Sequence, residues 1–431
     1  MRLRGRRNTA SRRGDTATAT FRDVFAIGEF RALWAAQVLS VVGDQLARVA
    51  LTLLVFDTTK SAFLAAVTFV ASVVPVFFGG IVLAGLADRF PRRRVMIVCD
   101  VARCALVVAM IAPRLPVALL VILLFAVTML GPPFTSARTG LYADVLQGDR
   151  YVLGTAVTLT TYQLAQVAGF AVGGALVAIV GVRGSLLADA ATFACSALIT
   201  RIWVRARQAT RASGRAVVAH MAGIAAGMRL VIQSPELRTP MLFGWLVAFY
   251  NAPEGVAAPL AQSLGGGTAA VGIILAAGAL GAAAGGAAFT RLTPAGRRLR
   301  WMRPLAMASC AVLTLFALAP PLALAVAILF ASGVFDCFQV AASAAFVTAA
   351  PPEHRSQVFG IAQAGMSLGQ GTMMLLAGAA AESFSPANVI AVIGLLGAIV
   401  ALLIPVGRAD RNQQTAVRAQ PTTQQPPGLS R

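Results

Sequence analysis

Twelve apolar stretches, each long enough to cross a lipid bilayer, constrain the fold of this chain more than any other feature. A transmembrane helix needs ~20 predominantly apolar residues. Charged residues make up 12% of the 431 residues, whereas soluble domains carry about 25%. We therefore predict an all-α integral membrane protein without large water-soluble domains. The predicted spans are 32–56, 62–86, 94–112, 116–137, 152–180, 184–204, 239–262, 268–290, 301–319, 321–347, 356–381 and 386–406.

The distribution of basic residues predicts how the chain is oriented. With a cytoplasmic N-terminus, Lys60, Arg114 and Arg183 lie outside, and Arg48 and Arg103 lie within spans. The remaining 31 of the 36 basic residues then lie on the cytoplasmic side, as the positive-inside rule requires. We predict two cytoplasmic termini and a multi-pass protein of the bacterial inner membrane. The net charge of +20 is explained by this topology, so we expect no nucleic-acid partner.

The two halves of the chain resemble each other. The basic segment Pro91–Arg94 follows span 2, and Gly296–Arg298 follows span 8 at an offset of 205 residues. Gln166 and Gln370 match at an offset of 204. Parallel repeats of this kind are typical of secondary transporters, whose substrate site lies between the halves. The predicted units are an N-tail (1–24), a six-helix bundle (25–204), a linker (205–238), a second six-helix bundle (239–407) and a C-tail (408–431), with both tails disordered.

The segment after span 2 resembles the signature loop between helices 2 and 3 of the major facilitator superfamily. It departs from the family pattern at two glycine positions, which hold Ala84 and Pro91. Its spacing is most similar to the branch of enterobactin exporters and macrolide efflux proteins. The resemblance extends over about 25–407 and implies two six-helix bundles. The loop keeps the leucine, the aspartate and three arginines of the pattern, at Leu86, Asp88, Arg89, Arg92 and Arg93.

The resemblance implies a conformational gate. Asp88 would dock against the start of helix 11, near 355–357, because a helix N-terminus attracts negative charge. Arg92 and Arg93, which belong with Arg89 to the same loop, would bind lipid phosphates or helix ends. The alternative is that these arginines only anchor the topology.

Two further comparisons concern coupling. Gly169, Gly173 and Gly174 in span 5 resemble an antiporter element, with Phe170 in place of its proline. Small residues there would let two helices pack closely, although such glycines are also common in ordinary membrane helices. Span 4 is uncharged over 117–133, so it is expected to lack the helix-4 arginine of drug antiporters.

Ionisable residues within spans are the candidates for transport. Each costs ~2.5–3.5 kcal/mol at mid-bilayer, so it normally faces a cavity or a partner. Asp44 and Arg48 lie one helical turn apart. They form either a mutually neutralising pair or part of a water-filled cavity. Asp189, in contrast, is predicted to form an interfacial pair with Arg183 near the outer end of span 6.

The second half carries the other candidates. Glu254 lies beside Pro253, which should break span 7, and Asn251 precedes both. Asp336 lies midway along span 10. Burial favours the protonated form of a carboxylate, so Glu254 or Asp336 would suit proton coupling.

Motifs for other functions are missing from the sequence. The single lysine, Lys60, rules out a phosphate-binding P-loop. There is no zinc-protease motif or nucleophile elbow, and His220 and His354 fall in predicted loops. The five cysteines lack metal-ligand spacing. We therefore expect no enzyme activity, cofactor or metal.

The favoured function is a monomeric secondary transporter that exports a small hydrophobic or amphipathic compound, such as a drug, natural product or siderophore, coupled to protons. An uptake permease and a non-transporting membrane sensor are the alternatives.

Overall fold

The computed structural model describes residues 20–83, 86–207, 228–351 and 355–405. These residues form helical segments that follow one another along the chain, some of them interrupted. Eight helices of this part of the chain are long and apolar enough to span a membrane. We number the segments α1 (Gly28–Thr59), α2 (Ala62–Gly80), α3 (Arg92–Met110), α4 (Val117–Val145), α5 (149–180), α6 (182–203), α7 (235–263), α8 (Thr268–Leu292), α9 (Arg298–Leu318), α10 (Leu322–Ala349), α11 (Arg355–Ala380) and α12 (Pro386–Leu403).

The boundary between α5 and α6 depends on one glycine. The segment Asp149–Trp203 is helical throughout except at Gly181, which has φ 73° and ψ 179°. A residue with a β-carbon rarely adopts this backbone conformation, whereas glycine does so without steric cost. The chain therefore reverses direction there without a polar loop, within the break expected between residues 180 and 184.

Helix α7 is interrupted, as Pro253 predicts. It consists of Pro235–Trp245, Val247–Tyr250, Ala252–Gly255 and Ala257–Ser263. Asn251 lies between the second and third pieces, and Pro253 lies in the first turn of the third. Proline removes a backbone donor and clashes with the preceding turn, so the helix axis is broken beside Glu254.

The two six-helix halves share a buried apolar core. The largest cluster combines second-half residues such as Phe243 and Phe338 with Phe56, Phe69 and Phe170 of α1, α2 and α5. Further clusters lie within the first half. We call the end that carries the arginine-rich loops after α2 and α8 the basic end, and the opposite end the far end.

Helical structure extends beyond the ranges expected from the sequence. Phe21–Phe25 is a short helix that begins within the predicted N-tail, where the Asp23 carboxylate accepts a 2.8 Å hydrogen bond from the Thr20 amide. Helix α7 begins at Pro235, inside the predicted linker, since proline suits the first turn of a helix. Expectations for residues 1–19, 208–227 and 406–431 lie outside the described residues.

Candidate functional site

A cavity of about 170 Å³ lies between the two halves. Gln163 and Gln166 of α5 line it from the first half, and α7, α8 and α10 line it from the second. Two carboxylates reach it, Glu254 and Asp336, and no Lys, Arg or His is among its lining residues. Its polar groups, apart from the amides of α5, are Tyr250, Asn251, Glu254, Ser332 and Asp336.

The break in α7 positions the polar groups of the cavity. Gln339 of α10 donates hydrogen bonds to the Gly244 carbonyl (3.1 Å) and to the Tyr250 hydroxyl (2.9 Å). The Tyr250 side chain lies beside Asp336, and one oxygen of that carboxylate has no hydrogen-bond partner among the described residues. The broken helix is thus held against α10 by side chains, which leaves Asp336 able to accept a ligand donor.

Asp44 and Arg48 are close in sequence but do not form an ion pair in the described structure. Arg48 instead donates a 3.2 Å hydrogen bond to the carbonyl of Ser72. Its guanidinium also lies over the rings of Phe69 and Phe170, at 5.3 and 5.9 Å from their centroids. The helical hydrogen bonding of α2 is interrupted just before Pro75, which makes this carbonyl available. The two side chains therefore make no direct contact here, although Arg48 still interacts electrostatically with Asp44, and the choice between a neutralising pair and a water-filled cavity stays a prediction.

The prediction that Asp189 pairs with Arg183 at the interface is also wrong. Asp189 is 0% exposed, whereas Arg183 is exposed. Residues six apart in a helix lie on different faces, so the spacing alone argues against the pair. Asp189 instead lies against Gly43 of α1, where a β-carbon on the glycine would collide with its carboxylate.

Helix α4 does carry an arginine, contrary to the sequence-based expectation. The helix continues past Pro133 to Val145 and includes Arg138, which is 8% exposed. The Arg138 guanidinium lies 5.8 Å from the centroid of the Phe134 ring. The expectation was wrong because the polar residues after Pro133 look like a loop, although they remain helical and pack inside the bundle.

The signature loop contains a short helix, Leu86–Arg89. The side chain of Asp88 and those at 355 and 356 lie outside the described residues, so the docking contact stays a prediction. Arg89 is exposed. Arg92 forms an ion pair with Asp144 near the end of α4 (2.8 Å), and Arg93 donates to the Arg201 carbonyl at the end of α6. Both therefore contact helix ends within the first half.

The glycines of α5 lie at two helix contacts. Gly169 and Gly173 face Gln45 and Val49 of α1. Gly174 faces Gly272 of α8, and a β-carbon on Gly174 would lie 2.7 Å from the Gly272 Cα. This glycine pair brings the backbones of the two halves into contact.

A contact at the far end was missed by sequence analysis. Glu382, in the turn between α11 and α12, accepts hydrogen bonds from the Ser61 hydroxyl (2.7 Å) and the Phe63 amide (2.8 Å) at the start of α2. Nearby, Gly378 of α11 packs against Ala66 of α2. The halves are therefore closed together at the far end. No local pattern links residues more than 300 positions apart, so only the fold reveals this contact.

Comparison with known families identifies the chain. The model of the family described as transmembrane secretion effector, part of the major facilitator superfamily, matches residues 19–425. The chain belongs to this family. It is thus a multi-pass membrane transporter, as the signature loop implied. Comparison with curated proteins finds no significant match.

Solved transporter structures share the fold. A peptide transporter POT in complex with sulfate has a TM-score of 0.71 at 14% identity, covering 91% of this chain and 96% of that one. A POT family transporter in complex with 5-aminolevulinic acid gives 0.70 at 11% identity, covering 87% and 95%. A bacterial homolog of the human lysosomal transporter Spinster, inward-facing and unoccupied, gives 0.64 at 16% identity, covering 90% and 96%. At such identities the likeness concerns the fold alone.

Proposed function

We propose that this transporter is a proton-coupled exporter of small amphipathic compounds that carry a protonated amine. The observation behind the proposal is the cavity between the halves, where Glu254 and Asp336 are the charged lining residues. A buried carboxylate is stabilised by a cation that enters with its own hydrogen-bond donors. Apolar lining residues, among them Ile274, Leu275 and Leu329, would cover the remainder of such a compound.

Protons and the substrate amine would compete for the same two carboxylates, which supports exchange of substrate for protons. A carboxylate that has bound a proton no longer attracts a cationic amine, and a carboxylate that holds the amine resists protonation. Alternate occupancy by proton and substrate is the requirement for antiport. Arg48 of α1 also interacts electrostatically with Glu254, so the first half contributes a positive charge near this carboxylate.

The size of the cavity limits what it holds in this state. Sites for drug-sized ligands typically measure about 300–1,000 Å³, whereas this cavity measures about 170 Å³. We propose that it receives the amine-bearing part of the substrate, with the apolar part extending between α5 and α8 as the halves rearrange.

The proposal includes the orientation of the protein in the membrane and the direction of transport. The basic end would face the cytoplasm of a bacterial cell, following the positive-inside rule. Closure at the far end by Glu382 then corresponds to a state that loads substrate from the cytoplasm. The family description as a secretion effector supports export over uptake, and a monomer with its two halves suffices for alternating access.

Vesicle transport tests the proposal. Proteoliposomes with an imposed pH gradient should accumulate a lipophilic amine beyond the passive trapping seen in protein-free liposomes, and should show no such excess for its neutral amide analogue. A protonophore should abolish the excess. Glu254→Gln and Asp336→Asn should each weaken amine transport about thirty-fold or more, because loss of one partner of a buried charge pair costs about 2 kcal/mol or more. The exposed carboxylates Glu236 and Asp57 offer matched controls as Glu236→Gln and Asp57→Asn.

Three outcomes would contradict this function. Equal transport of the amine and its amide would remove the role of the two carboxylates in selectivity. Retention of pH-driven transport in both variants would show that neither carboxylate is needed. Reduced cellular accumulation of the compound after deletion of the gene would indicate uptake.

A further inference from the structure

A second group of ionisable side chains lies inside the first half, apart from the cavity residues. Asp189 of α6 is fully buried, and neither of its carboxylate oxygens has a hydrogen-bond partner in the described structure. Among the described residues, it also forms no ion pair within 4.0 Å. Thr192, one turn along, donates its 2.7 Å hydrogen bond to the Asp189 main-chain carbonyl. The Thr192 hydroxyl also lies beside the carboxylate, but its single proton is donated to the carbonyl, so the carboxylate is left without a donor of its own.

The charged neighbours of Asp189 come from α1 and α3. Asp44 of α1 and Arg103 of α3 interact electrostatically with Asp189. The Cys104 thiol of α3 also interacts electrostatically with it. Arg103 already donates a 3.1 Å hydrogen bond to Ser40 and lies between the rings of Phe134 and Phe193. The remaining charged residues of the cluster, Arg48, Asp100 and Arg138, face other partners.

An ionised carboxylate in this position would be costly. Burial of an unpaired charge costs several kcal/mol, and a buried acid avoids that cost by binding a proton. The site is also shaped for a carboxyl group, because α1 has Gly43 directly opposite and any side chain there would collide with Asp189. An aspartate that is fully buried, without a donor and opposite a glycine is arranged to exist as the neutral acid.

We propose that Asp189 is a proton-binding site of the first half, and that the neighbouring Asp44 exchanges protons between it and water. Asp44 follows Gly43 directly in α1 and retains some exposure, whereas Asp189 has none, so Asp44 is the carboxylate of the pair through which a proton would be exchanged. The proposal rests on the proposed proton-coupled function and assigns a different role to each half. The first half carries the proton, and Glu254 with Asp336 in the second half binds the substrate cation.

Infrared spectroscopy of the full-length protein in lipid tests the site without any transport. At neutral pH the protein should show the C=O stretching band of a protonated, non-hydrogen-bonded carboxyl group. Asp189→Asn should remove this band component, and the surface control Asp57→Asn should keep it. A spectrum of Asp189→Asn identical to that of the unmodified protein overturns the proposal.

A second variant covers the case that Asp189→Asn does not fold. Gly43→Ala places a methyl group against the carboxylate of Asp189, so the band component should shift in frequency. Gly286→Ala, at a glycine with no neighbouring atom within 4 Å of the added carbon, should leave the spectrum unchanged. An unchanged band in Gly43→Ala contradicts the proposal.

Transport measurements separate this proposal from the proposed function. Asp189→Asn should retain exchange of labelled for unlabelled amine across proteoliposomes, while accumulation driven by a pH gradient is lost. Persistence of pH-driven accumulation in Asp189→Asn overturns the proton site and leaves the substrate proposal intact. Dependence on sodium in place of protons, tested by replacing sodium with choline, also overturns it. If the unmodified protein transports no amine, the proposed function fails while the infrared result still decides the site.

Discussion

Glu382 and Ser61 join the two halves of the transporter across more than 300 residues of sequence, through a 2.7 Å hydrogen bond at the far end. Ser61 is the N-cap of α2, and its hydroxyl oxygen also accepts a 3.1 Å hydrogen bond from the Leu64 amide. Helix N-termini attract negative charge, so the Glu382 carboxylate further stabilises the N-terminus of α2. Family resemblance implies the reciprocal contact at the basic end, where Asp88 after α2 would meet the start of α11. The end of α11 would thus contact the start of α2 at the far end, and the end of α2 would contact the start of α11 at the basic end.

Loss of the Glu382 carboxylate should favour opening at the far end. A hydrogen bond to a charged group contributes about 1.5–3 kcal/mol, and solvent exposure reduces this to roughly 1 kcal/mol. Glu382→Ala should therefore raise the ratio of open to closed protein about five-fold. Distances between spin labels on α1 and α8 at the far end measure this ratio. Glu236→Ala, at an exposed glutamate, is the control, and an unchanged distance distribution in Glu382→Ala would exclude the role.

The same contact should respond to acid. The hydrogen bond from the Phe63 amide, with that from the Ser61 hydroxyl, lowers the pKa of Glu382 below its ordinary value of 4.5. A carboxylate with a lowered pKa stabilises closure fully above its ordinary pKa and loses that effect as the pH falls through the lowered pKa. Far-end opening should therefore rise only below about pH 4.5, as the same spin labels would report. Glu382→Gln should be open to the same extent across this range, and a surviving pH response would point to another group.

The glycine pair between α5 and α8 should tolerate no larger residue. A β-carbon on Gly174 would lie 2.7 Å from the Gly272 Cα, and overpacking of this kind typically costs about 1–3 kcal/mol. Gly174→Val should lower the thermal unfolding midpoint and reduce far-end closure. Gly286→Val of α8, where the added carbon meets no atom within 4 Å, should leave both unchanged. Equal effects of the two substitutions would indicate general sensitivity of glycine in these helices.

Arg103 should be the main stabilising charge of the first half. It is 3% exposed, and its contacts with Ser40, Phe134 and Phe193 connect α3 to α1, α4 and α6. A desolvated cation–π contact contributes about 2 kcal/mol, so Arg103→Ala should destabilise the protein by at least that amount. Thermal unfolding in detergent measures the loss, with Arg94→Ala at an exposed arginine as the control. A loss no larger than that of the control would remove Arg103 from this role.

The partners of the buried charged residues could not be predicted from the sequence. Spacing placed Asp44 and Arg48 on one helical face, but the flexible arginine reached a carbonyl of α2 instead. The polar residues after Pro133 are typical of a loop, although the helix continues there and includes Arg138. The predicted partner of Asp189 is Arg183, but the Asp189 carboxylate lies against Gly43 of α1 instead. In each case, the partner is set by a contact between helices, which the periodicity of one helix does not reveal.

The amino-acid sequence alone determined the all-α membrane fold class, the position of the α7 break and the family. These properties follow from local chemistry, namely helix length in a bilayer, the missing donor of proline and a short signature loop. Only the tertiary structure decided that Glu254 and Asp336 share a cavity, that Asp189 is buried without a donor, and that Glu382 caps α2. These features join residues from helices far apart in the chain, so they depend on how the two bundles pack.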